Sequence, residues 1–85
     1  MDRQPQLMMT PDLLIATGEA CYGEYWRTPV AEQLGVADRT VRRWALGTHP
    51  IPGDIAGRML HLVQDRIELL CAAEEHLKKI EITSK

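Results

Sequence analysis

The chain has 85 residues, 45% of them hydrophobic and 26% charged, with a net charge of −2 at pH 7. That size and balance describe one domain near the lower limit for folding on a single core, and they exclude a disordered chain. No apolar run approaches the roughly 20 residues needed to span a bilayer.

Phe is absent, so Leu, Ile, Val and Met must fill the core with help from Trp26, Trp44, Tyr22 and Tyr25, a palette suited to a helical bundle. Cys21 and Cys71 set no disulfide framework. Cys71 and His76 would fall on different faces of a helix, and His49 and His61 stand alone, so neither a metal nor a cofactor is expected. The opening MDRQPQLMM lacks the apolar core of a secretory signal. A cytoplasmic protein is expected.

In chain order, residues 1–9 show no periodicity and read as a loose tail. Thr10-Pro11-Asp12 is a helix start, with Thr as N-cap, Pro at the first helical position and an acid in the first turn. Leu13, Leu14, Thr17, Ala20 and Cys21 then recur at helical spacing up to a break at Gly23. Tyr25-Trp26 is read as an aromatic bridge packed between elements. Thr28-Pro29 repeats the start signal and opens a short helix with Val30, Ala31 and Leu34 inward.

Gly35 breaks that helix after about two turns. Beyond it Val41, Trp44 and Ala45 form a buried stripe at i, i+3, i+4, and Gly47 is placed to end the helix in a left-handed conformation. Residues 48–53 are a stiff, proline-containing connector. From Asp54 to Ile80 one long helix is expected, or two with a kink at Gly57. No alternating segment or hairpin dipeptide signals a strand. The fold class is therefore all-α, four to five helices with a long C-terminal one.

Two short helices joined by a glycine turn need a small residue at their crossing, a left-handed residue in the turn and apolar residues fixing their angle. Ala31, Gly35, and the set Val30, Leu34, Val36, Val41 and Trp44 supply these. The spacing from Ala31 to Gly35, Val41 and Trp44 resembles the helix-turn-helix of Cro and phage repressors, over about residues 27–47. Ala37 departs from that pattern, which usually places Ser or Thr before the recognition helix.

The resemblance implies a compact DNA-binding core over residues 10–53, with residues 54–85 completing it and mediating dimerisation. It assigns base contacts to Asp38, Arg39 and Arg43, with Arg42 secondary. Backbone phosphate contacts fall to Arg27, Thr28, Thr40, Thr48 and His49. The partner is double-stranded DNA, and the implied role is a dimeric repressor of phage, prophage or mobile-element type, in a bacterial cell or infected host.

The charges agree with that placement. On a helical wheel with Val41 at zero, Arg39 and Arg43 lie at about 160° and 200°, facing away from the core, while Arg42 lies at about 100°. A guanidinium fork can read guanine or clasp phosphate. Residues 27–58 carry a net +2, against −3 before them and −1 after them. Positive charge is local in an acidic chain. A plain solvated face, with Asp38 and Arg42 as an i, i+4 ion pair, is the competing account of the same residues.

The last helix carries two apolar stripes, one with Ala56, Leu60, Val63, Ile67, Leu70 and Leu77, the other with Met59, Leu62, Leu69, Ala73 and Ile80. A helix covering its own domain needs only one. The second stripe is assigned to a homodimer interface. The alternative function is a protein-interaction module that uses this helix and binds little or no DNA. No nucleophile–base pair, phosphate loop or metal cluster is evident, so no enzyme is expected.

Overall fold

The computed structural model describes residues 8–83, and most of the tail expected at 1–9 lies outside them. Four α-helices follow in order: α1 (Pro11–Tyr22), α2 (Arg27–Leu34), α3 (Asp38–Leu46) and α4 (Ile55–Thr83), with a single 3-10 turn at Gly23–Tyr25 between the first two. The described residues contain no strand. The fold is all-α.

α1 begins as its sequence dictates. Thr10 is extended, and its Oγ1 accepts a hydrogen bond from the Leu13 amide at 3.1 Å, with Pro11 in the first turn. Met9, at the end of the stretch expected as a tail, packs against the core cluster that contains Leu14. It occupies the N′ place of a hydrophobic staple, with Leu14 at N4. The buried face of α1 is Leu14 and Gly18, whereas Leu13 and Ala20 are exposed. Periodicity could not choose here, because the helix has apolar residues on nearly every side.

The 3-10 turn reverses the chain and settles the aromatic pair. Trp26 is buried at 2% exposure and Tyr25 stands out at 81%, so only one of the two packs between elements. The Trp26 ring lies so close to Gly18 that a methyl group there would sit 2.2 Å from its Cε3. α2 starts one residue before the expected Thr28 cap, with Trp26 as its uncapped N-terminal residue. The Thr28 hydroxyl is used elsewhere, on α3.

α2 and α3 meet as expected. Gly35 is left-handed (φ 72°), and the amide of Val36 returns to the Ala31 carbonyl at 3.0 Å, closing the end of α2. Gly47 ends α3 in the same way, with the Thr48 amide on the Arg43 carbonyl at 3.1 Å. Val30, Ala31, Leu34, Val41 and Trp44 are buried between these helices and α1, with Val36 and Ala45 partly buried beside them.

α4 runs unbroken through Gly57. Its first turns complete the core with Ile55, Met59 and Leu62. Arg58 fastens it to the C-terminal end of α2 by donating to the Leu34 carbonyl, and it lies 3.9 Å from Asp54. This reverses part of the stripe assignment. Met59 and Leu62, expected on a partner, are 1% and 6% exposed in the chain's own core, while Leu60, Ile67 and Leu70 of the other stripe are more than half exposed. Both stripes are equally apolar, and the docking of α4 on α1 and α2 decides between them. From Ile67 to Ile82 every residue is exposed, because α4 runs past the end of the body.

Candidate nucleic-acid interface

α3 separates its two faces cleanly. Val41 and Trp44 are buried, and Asp38, Arg39, Arg42 and Arg43 are exposed. This is the helical phase projected from the sequence, so Arg39 and Arg43 point away from the core. Among the described residues no acidic side chain or hydrogen-bond acceptor engages Arg39, Arg42 or Arg43. Unneutralised guanidinium groups on one rigid face are what a polyanion would meet first.

Leu46 shares that outer face. It follows Arg42 by one turn, lies about 140° from Val41 on the helical wheel and is 69% exposed. The sequence pattern does not single it out, because a leucine near the end of an amphipathic helix is ordinarily core.

Asp38 does not pair with Arg42. Its Oδ2 accepts a hydrogen bond from the Thr28 hydroxyl at 2.9 Å. That bond joins the start of α3 to the first turn of α2 and holds the two helices in register. It also engages two residues expected on DNA: the Asp38 carboxylate keeps its other acceptor positions for a base amino group, whereas the Thr28 hydroxyl, its one O–H given to Asp38, has no proton to donate to a phosphate while that bond stands.

Around this bond the structure gathers residues that are far apart in sequence. Tyr25, Arg27, Thr28, Asp38 and Arg42 line one notch of about 120 Å³. The Arg27 guanidinium lies over the Trp26 ring, 5.5 Å from its centroid, which braces a side chain expected on phosphate. Exposed Tyr25 adds a hydroxyl that the sequence reading had assigned to packing. Nothing in the local pattern separates it from Trp26; only the position of Gly18 does.

The remaining expected contacts lie apart from the notch. Thr40 is half-buried on the flank of α3. Thr48 donates its hydroxyl to the Arg43 carbonyl at 3.2 Å, which caps α3, and its Oγ1 lies 3.2 Å from His49 Nδ1. Both line a separate hollow with Met9, Pro11 and Ile51. Of the residues assigned to a dimer, Leu69, Ala73 and Ile80 are exposed on the projecting part of α4, and Met59 and Leu62 are not available.

Compared with family models, curated proteins and solved structures, the chain matches none of them. No helix among the described residues is long and apolar enough to cross a membrane, and no group of three His, Cys, Asp or Glu could hold a metal ion.

Proposed function

We propose that this chain is a sequence-specific regulator of the Cro and phage-repressor helix-turn-helix kind, binding double-stranded DNA in the cytoplasm as a dimeric repressor. α3 enters the major groove. Arg39 and Arg43 fork onto base edges, Arg42 and Leu46 flank them, and a thymine methyl suits Leu46. The notch at the start of α2 takes backbone phosphate through Arg27 and Tyr25.

One observation carries this reading: three exposed, unpaired arginines occupy the outer face of a helix whose inner face is sealed by Val41 and Trp44. The Gly35 turn and the Thr28–Asp38 bond fix that helix on its neighbour, and a reading head must be rigid to discriminate bases.

The test is to select DNA from a random pool with the purified chain and titrate the winner. Arg39→Ala and Arg43→Ala should each cost about 1–3 kcal/mol of specific binding, a loss of roughly 5- to 150-fold, with the thermal melt unchanged. Unaltered affinity in both variants would remove α3 from the groove. The exposed leucines of α4 favour a second reading, a protein-interaction module. Failure to retain any DNA at low salt, where phosphate attraction is strongest, would favour that module instead.

A further inference from the structure

α4 offers more apolar surface than its own domain uses. Leu60, Ile67, Leu69, Leu70, Leu77, Ile80 and Ile82 are each 52–73% exposed. The buried stripe of its first half, at Ile55, Met59 and Leu62, continues in the same heptad register to Leu69 and Ala73, which are exposed and which no described residue buries. Beside the first half lies an open groove of about 460 Å³, walled by Ala16 and Ala20 of α1 and by Val63 and Ile67 of α4. The second half of α4 is an apolar helix without a seat, and the groove at its base is a seat without a helix.

We infer that this groove receives the projecting half of α4 from a second copy of the chain, in a reciprocal two-fold arrangement. The inference rests on the dimeric part of the proposed function and not on its DNA part. It replaces the single-stripe interface expected from sequence with one that uses α1 as well.

Size and chemistry support a second copy as the occupant. The projecting segment from Leu70 to Ile82 is about 20 Å long at 1.5 Å per residue, close to the roughly 18 Å of the twelve-residue α1 that walls the groove. Ala16 and Ala20 leave room for a helix to approach closely. Antiparallel pairing about an axis near Leu70 brings Leu77 of each copy toward Val63 and Ala20 of the other. Leu70 and Leu77, each 64% exposed, stand on the side of α4 that Val63 and Ile67 of the groove share, so one apolar strip serves both as insert and as seat. Arg66 lines the groove with its guanidinium over the Tyr22 ring, 4.9 Å from the centroid, and its Nε out of solvent without a hydrogen-bond partner; the projecting half carries Glu75, and Glu74 3.6 Å from Lys78, as acids that can face it. Because each chain gives one helix and one groove, the contact closes as a dimer instead of propagating.

The test uses the full chain without DNA. Sedimentation equilibrium of the wild type at micromolar concentration should show a dimer. Ala20→Glu spoils only the groove and Leu77→Lys only the inserted helix, both at exposed positions. Each variant alone should stay helical by circular dichroism, with its dimer dissociation constant raised more than ~100-fold. Mixed in equal amounts they should dimerise again, since the new lysine then meets the new glutamate.

A wild-type monomer overturns the inference. So does an Ala20→Glu chain that dimerises like the wild type while Leu77→Lys does not, which would mean that α4 pairs with α4 alone. Hydrogen exchange on the wild type is an independent check, with amides of both α1 and residues 70–82 expected to lose protection on dilution; loss confined to α4 also overturns it. DNA plays no part in these measurements. A dimer that ignores DNA therefore defeats the regulator and leaves this interface standing, and a monomer that binds its selected DNA does the reverse.

Discussion

At Gly18 one missing methyl group makes room for the largest core side chain. A Cβ there would lie 2.2 Å from Trp26 Cε3 and 2.6 Å from Cδ2, and a ring only 2% exposed has nowhere to retreat. Gly18→Ala should destabilise the domain by about 1–3 kcal/mol through overpacking. That corresponds to a fall of roughly 5–20 °C in Tm for a chain of this size. Gly57→Ala is the matched control: nothing lies within 4 Å of its added Cβ, and the residue is helical and exposed. There the same change should stabilise by up to about 1 kcal/mol. Melts of the two variants that shift in the same direction would contradict the packing of Trp26 on α1.

At the scale of elements, α3 is well terminated at one end and poorly at the other. Gly47 and the Thr48 hydroxyl close its C-terminus, whereas Ala37 has the extended conformation of an N-cap (φ −77°, ψ 151°) with no side chain to offer. The acid in its first turn, Asp38, is directed to Thr28 and joins two helices instead of capping one. Ala37→Ser should therefore add about 0.5–1 kcal/mol, read as a rise of a few degrees in Tm, without altering the DNA sequence selected. A variant no more stable than wild type would mean that the start of α3 already has its amides satisfied. α4 shows the opposite economy, with a first half anchored by Ile55, Met59 and the Arg58 bond to Leu34, and a second half exposed from Ile67 to Ile82.

The whole molecule is elongated by that second half. Its radius of gyration is 16.4 Å, against about 12 Å for a compact domain of this length. Charge is laid out along the same shape, with net +2 over residues 27–58 and acidic segments on both sides. Affinity for DNA should then fall steeply with salt, each phosphate contact adding about 0.9 to the log–log slope. Arg27→Ala removes one such contact per copy. In a two-fold dimer it should flatten the slope by about 1.8 and weaken all sequences alike. A changed base preference in that variant would show Arg27 reading sequence instead of holding backbone.

Much of this was legible in the sequence because it rests on local rules. Thr10-Pro11, Gly23, Gly35 and Gly47 mark helix ends through capping and backbone conformation, which depend on a few neighbouring residues. α3 has one apolar face, so its inner and outer sides followed from helical geometry, and with them the exposed positions of Arg39, Arg42 and Arg43. Where a segment is apolar on several sides, local rules offer no choice. Met59 and Leu62 against Leu60 and Ile67, Leu14 against Leu13, and Trp26 against Tyr25 are pairs of nearly equal hydrophobicity. Which member is buried depends on what shape lies opposite: a glycine at 18 that admits an indole, and a body that covers only the first turns of α4. The tertiary structure decided these because burial is a property of two surfaces that meet, and one sequence window contains only one of them.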